Sequence, residues 1–227
     1  MAPSTSSASA ARAAAAPADP QPVGDRRTRR RERGRTLVFE TAVALFIEQG
    51  FENTPMDQIA ERADVARATV FNYFPRKTTI LDEWTTQRRE RAAAAVRDEN
   101  LEGWSIDRIL RRYMSEMARM SEETRDETVA LMTASARWLN LLAHPALGDE
   151  LGAFIADAQR SGQVPSDTDP RQAGVLTAIA YFAVLTQWIS EDPAPFDLET
   201  ELLAMLDNIL HGIYRPKAAR PAKGRAR

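Results

Sequence analysis

The chain has 227 residues, 44% of them apolar and 27% charged, with a formal net charge of −2 and no cysteine. That length holds one large domain or two small ones, with enough apolar residues for a sizeable core. There is no apolar run long enough to span a membrane and no continuous apolar segment of a secretory signal, and the lack of cysteine excludes disulfides and thiolate metal sites. A reducing, cytoplasmic setting is the expectation.

Residues 1–24 are low-complexity Ala/Ser/Pro and are expected to be a disordered tail. From there to residue 214 the pattern is helical throughout, with no sustained apolar/polar alternation. A first helix places Leu37, Val38, Ala42, Leu45 and Phe46 at helical spacing and ends at Gly50. Thr54 is the expected N-cap of a second, with Pro55 at its first position and Asp57 completing a capping box. Asp64 marks a tight turn, Pro75 ends a third helix, and a longer fourth runs from Lys77 to about Arg97. Ser105 caps a fifth helix, Thr124 opens a sixth, Pro145 begins a seventh ending at Gly162, and Asp169-Pro170 opens an eighth that the Pro193/Pro195 pair ends. A ninth spans about Phe196 to Tyr214, and 215–227 is a basic, Pro-interrupted tail. The fold class is therefore all-α: a three-helix head over 25–78 and a larger helical bundle over 79–214.

The near-neutral total hides an asymmetry. Residues 1–91 hold 15 Lys/Arg against 12 Asp/Glu, residues 92–214 hold 9 against 20, and the tail holds 6 against none. A basic head on an acidic body directs a polyanion to the head. There, "PMDQIAERA" and "RATVFNYF" are two short helices joined by "DVA", a helix-turn-helix arrangement whose second helix enters the DNA major groove. Val70, Phe71 and Phe74 are assigned to the core against Phe46, Phe51 and Ile59. That leaves Arg67, Ala68, Thr69, Asn72 and Tyr73 outward: Arg reads guanine, Asn adenine, Thr and Ala touch a thymine methyl, and Tyr73 donates to a phosphate. Thr54 and Lys77, at helix starts, are the expected phosphate contacts. Seven arginines between 26 and 35 form either a DNA-touching arm or a solvated extension of the first helix. The run "RRER" over 88–91 is assigned to a solvated face.

The segment "TAVALFIEQGFENTPMDQIAERADVARATVFNYFPRKTTIL", residues 41–81, resembles the DNA-binding region of the TetR family of transcriptional regulators. The matching positions are Gly50-Phe51, Thr54, Ile59-Ala60, Asp64-Val65, Thr69-Val70-Phe71, Phe74 and Lys77. Asp64, Ala66 and Ala68 depart from the family's usual Gly, Ser/Thr and Gly. The resemblance implies a dimer that binds a palindromic operator and senses a small molecule in the body.

In the body, Met and aromatic residues at helical spacing are first of all core. Met117, Trp138, Tyr181 and Phe182 are the candidates for lining a mostly apolar ligand pocket. Two histidines without ligand spacing make a metal site improbable, and no cofactor is expected. The eighth and ninth helices are apolar on two sides, so Val184 and Leu206 are candidates for a twofold interface with a second copy. These features together read as a ligand-responsive repressor of double-stranded DNA, acting as a homodimer. The alternatives are an activator or a constitutive DNA binder without ligand, and, further off, a helical enzyme, for which no catalytic constellation stands out.

Overall fold

The computed structural model describes residues 23–99, 103–138 and 146–212, and its elements there are α-helices: α1 (Val23–Gln49), α2 (Met56–Arg62), α3 (Arg67–Tyr73), α4 (Thr78–Arg97), α5 (Ile106–Glu123), α6 (Arg125–Trp138), α7 (Ala146–Arg160), α8 (Pro170–Trp188) and α9 (Leu198–His211). The tails expected at 1–24 and 215–227 lie outside the described residues, except that Val23 and Gly24 already belong to α1. Pro145 also falls outside. Residues 26–35 form the first turns of α1, and their arginines are exposed except for the half-buried Arg35.

Several boundaries follow from local chemistry. Gly50 takes φ +85°, which a side chain resists, and stops α1. Asp64 takes φ +52° between α2 and α3, a turn for which Asp is among the tolerated residues. Ser105 accepts from the Arg108 N–H, Asp169 from the Arg171 and Gln172 N–H groups, and Asp197 from the Thr200 N–H, so three body helices carry side-chain N-caps. Two expected caps differ. Pro55, not Thr54, is the N-cap of α2, and no side chain caps it. Thr124 does precede α6 and its carbonyl accepts from Thr128 N–H at 2.8 Å, but its hydroxyl donates back to Met120 O at the end of α5 instead of capping α6. Helix α8 stops at Trp188, short of the proline pair.

A continuous apolar core runs from the head into the body. In the head, α1 packs on α2 and α3, burying Val38, Ala42, Phe46, Ile59, Val70 and Phe74. Leu37, expected inside, is 46% exposed because Val38 and Ala42 define the inward stripe. Helix α5 sits at the centre of the body, touching α4, α6, α7 and α9, while α1 rests on α6.

The closest crossing is between α7 and α8. A Cβ built on Gly174 would lie 2.2 Å from Gly148 O and 2.5 Å from Gly152 N, so the two backbones touch where three glycines meet. This Gly-x-x-x-Gly on α7 facing a glycine on α8 brings the helices together without intervening side chains.

Helix α9 corrects one expectation. Leu198, Leu202 and Leu206 form its inward stripe, and Leu206 is fully buried in the subunit's own core. Of the two apolar stripes on this helix, Leu206 belongs to the one that the subunit itself covers, so its side chain is not open to a second copy. Val184 is half-buried, and the outward apolar surface of α8 is carried by Leu176 and Ile179, 57% and 40% exposed.

Candidate DNA interface and ligand pocket

Helix α3 is only seven residues long, and Val70 with Phe74, one turn apart, anchor it. Ala68 and Asn72 are exposed on the opposite side, Arg67 is exposed at the helix start on the side toward α2, and Thr69, Phe71 and Tyr73 are half-buried. Phe71 was expected in the core. It lies about 100° around the helix from Val70, and the Arg67 guanidinium sits 5.4 Å from its ring centroid. Arg67 also pairs with Asp57 of α2 at 2.8 Å. Tyr73 lies across α1, where its hydroxyl would stand 2.7 Å from a Cβ on Gly34.

Thr54 and Lys77 tie the loop between α1 and α2. The Thr54 side chain is fully buried; its hydroxyl donates to Gly50 O at 2.8 Å and accepts from Gln49 Nε2 at 3.1 Å. Lys77 Nζ donates to Phe51 O, to Thr54 O at 3.0 Å and to Glu52 O at 3.3 Å, over the face of the Phe51 ring at 4.4 Å. Burial draws the Lys77 pKa below the ordinary lysine value. Both residues therefore hold the start of α2 from beneath, which accounts for a Thr and a Lys at these positions on structural grounds.

Helix α4 joins the head to the body. Ile80, Leu81 and Trp84 are buried in the shared core. Arg35 of α1 and Glu83 of α4 form a bidentate pair at 2.6 and 2.8 Å, and the Arg35 guanidinium also covers Phe74 at 4.7 Å. The Arg35 hydrogen bond holds the Glu83 carboxyl below its ordinary range. Trp84 Nε1 donates to Glu127 of α6 at 2.6 Å.

On its body side, α4 contributes Trp84, Thr85, Arg88 and Arg89 to a cavity closed by Met117 of α5, Met132 of α6, Leu147 of α7, and Tyr181 and Phe182 of α8. The structure thus gathers Met117, Tyr181 and Phe182 at one place; the fourth pocket candidate, Trp138, has its side chain outside the described residues. The open space is about 40 Å³, well under the roughly 150 Å³ cavity that admits a benzene ring.

Arg88 overturns the solvated-face assignment of its run. It is 8% exposed, stacks over Trp84 at 4.7 Å, and donates to Ser121 Oγ at 2.8 Å and Thr124 Oγ1 at 3.3 Å. Burial lowers its pKa. Arg89 pairs with Glu150 of α7 at 3.1 Å, and Tyr113 donates to the same Glu150 oxygen at 3.3 Å. Sequence reasoning missed the two arginines. Their signal was spacing: Trp84–Arg88 and Thr85–Arg89 are i,i+4 pairs that continue the inward face of α4. Among the described residues no group of three His, Cys, Asp or Glu could hold a metal ion, and no helix is long and apolar enough to cross a membrane.

Comparison with known proteins agrees with this architecture. Residues 38–84, which span the last part of α1 through the first turns of α4, match the family described as "Bacterial regulatory proteins, tetR family". The transcriptional repressor KstR of Mycolicibacterium smegmatis is 26% identical over 176 residues, covering 76% of this chain and 84% of KstR. The crystal structure of Thermus thermophilus FadR, a TetR-family repressor in complex with lauroyl-CoA, superposes with a TM-score of 0.67 at 26% identity, over 82% of this chain and 98% of that one. Bacillus subtilis FadR with stearoyl-CoA shares the fold at 19% identity and a TM-score of 0.62, over 79% and 99% of the two chains. These relatives are transcriptional regulators, and the helix-turn-helix head of this chain, residues 38–84, carries the DNA-binding region of the TetR family on a body of similar all-helical fold.

Proposed function

We propose that the protein is a dimeric, ligand-responsive repressor, with DNA binding in residues 25–78 and ligand binding and dimerisation in residues 79–214. The observation that carries this reading is the exposed face of α3, with Arg67, Ala68 and Asn72 outward on a helix held by Val70 and Phe74. Thr69 and Tyr73 flank that face. Thr54 and Lys77 support the phosphate contacts by fixing the start of α2, whose backbone N–H groups meet the DNA strand. Two such heads in a dimer read half-sites roughly one helical turn, 34–36 Å, apart or at a longer spacing of the same geometry. The second copy covers α8 and α9, where Leu176 and Ile179 are open and Val184 and Leu203 are half-buried. Sedimentation of wild type and of the double variant Leu176→Asp/Ile179→Asp tests this. A wild type that is monomeric at micromolar concentration contradicts the dimer.

Helix α4 supports the response to ligand. One of its turns bonds to the head through Glu83 and walls the cavity through Trp84, Thr85, Arg88 and Arg89. A ligand widening the cavity displaces that turn and, with it, the heads. It works only by differential affinity for the two states. The neighbour bound to lauroyl-CoA supports a mostly apolar effector. The small volume of the cavity favours the second reading, a regulator that binds its operator without any effector. Selection of DNA from a random pool by the purified protein defines the operator. Arg67→Ala should then relax preference at one base position at a cost of about 1–3 kcal/mol there. An unchanged preference removes Arg67 from the interface.

A further inference from the structure

The cavity holds an unusual cation. Arg88 is nine-tenths buried, yet its hydrogen bonds go to two neutral hydroxyls, Ser121 and Thr124. Those hydroxyls direct their own protons to Met117 O and Met120 O, both at 2.8 Å, and present only lone pairs to the guanidinium. The carboxylate facing Arg88, that of Glu127, stands 4.0 Å away and already accepts from Trp84 Nε1 at 2.6 Å. A buried charge with neutral partners and a distant counter-ion lacks full compensation. Beside Thr85, Arg89 and Tyr181, the wall presents Met117, Met132, Leu147 and Phe182, a flexible apolar lining suited to an alkyl chain.

We infer that the effector is an aliphatic carboxylate, with its head group bound by the Arg88 fork and its chain among Met117, Met132, Leu147 and Phe182. This rests on the sensor reading above and names its ligand class. A carboxylate matches the planar guanidinium with two oxygens and is compact enough for a site of this size. A nucleotide diphosphate is not. The chain is too large for an open space of about 40 Å³, so binding must push α4 from α7, against the Arg89–Glu150 pair that spans the same gap.

The test titrates the full chain with dodecanoate, dodecanol and lauroyl-CoA, below their micelle-forming concentrations, and follows both ligand binding and release of the selected operator. Dodecanoate should bind at least about tenfold tighter than dodecanol, the gain expected of one charge-assisted fork. Arg88→Met should bring dodecanoate down to the level of dodecanol and leave dodecanol unchanged. Equal binding of acid and alcohol, or dodecanoate binding that Arg88→Met leaves intact, overturns the inference. So does lauroyl-CoA binding that is indifferent to Arg88→Met while dodecanoate fails to bind. Should Arg88→Met no longer fold, judged by operator binding and melting temperature, the wild-type comparison of acid and alcohol decides, with Arg88→Lys, which keeps the charge but not the fork, expected to be intermediate. Operator release by alcohol and acid alike leaves the sensor standing and removes the carboxylate. Arg88-dependent dodecanoate binding without operator release keeps the site and removes the sensor. No binding by any probe overturns both.

Discussion

The head and the body solve the same packing problem with different materials. The head has two helices of seven residues, too short to be stable alone, and compensates by tying loop backbone to side chains. Thr54, Gln49 and Lys77 between them engage Gly50, Asn53, Phe51, Glu52 and Thr54 carbonyls. The body has longer helices with side-chain N-caps on three of them, and its closest contact is bare backbone, where α7 meets α8 at Gly148, Gly152 and Gly174. Among the described residues its buried charged groups, Arg88 and Glu116, lie along helices rather than under loops. Glu116 is ringed by Arg91, Arg112 and Arg119. A polar residue under a loop holds a surface in place. One along a helix face is free to serve a ligand, because the helix satisfies its own backbone.

Three substitutions separate the two strategies. The largest effect is expected from Gly174→Ala. The new methyl group meets backbone atoms, which cannot rotate aside as a side chain would, so the helices must part. The overpacking should cost about 3 kcal/mol or more, read as a lower melting temperature. If Gly174→Ala melts like wild type, the glycine crossing is not what holds α7 to α8. Thr54→Val should come next. It keeps the shape, removes the donor to Gly50 O and leaves Gln49 Nε2 short of one acceptor, for about 1–3 kcal/mol. A loss confined to operator affinity, with stability intact, would instead make Thr54 a DNA contact. Glu83→Gln should have the smallest effect, about 1 kcal/mol or less, because Arg35 remains partly exposed. The sign with pH is fixed by the lowered Glu83 pKa. The pair's contribution is present above the ordinary 4.5 and is lost as pH falls through the folded value. The melting-temperature gap between wild type and Glu83→Gln should therefore close on acidification below about that pH, and a gap that stays constant to pH 3 rules the pair out as the head–body link.

Much of the head was legible in the sequence because its signals are short-range. Val70 and Phe74 sit one turn apart, Gly50 and Asp64 mark chain reversals, and Pro75 forbids a longer α3. Thr54 escaped because a Thr before a Pro suits an N-cap and a buried plug equally; only the position of Gln49 across the loop separates them. In the body, the caps at Ser105, Asp169 and Asp197 mark local breaks, but which face of each helix turns inward depends on neighbours far along the chain. Leu206 and Leu203 look alike in a leucine-rich helix, and the packing of α9 on α5 and α8 decides that Leu206 is the buried one. Arg88 was hidden by its company: three arginines in four residues suggest solvent, yet Arg88 continues the stripe of Leu81 and Trp84 and is the one of the three that is buried. The Met117, Tyr181 and Phe182 grouping was legible as composition, and its closure by α4 was not.

The stretch of α4 from Glu83 to Arg89 also sets a length scale. Six residues rise about 9 Å along a helix axis. The bond to the head at Glu83 and the far end of the cavity wall at Arg89 are therefore under two turns apart on one continuous rod. Over such a distance a helix transmits a push or a roll nearly undiminished, much as a short crank does. Its speed is then that of collective helix motion, microseconds to milliseconds, with no segment needing to melt or refold.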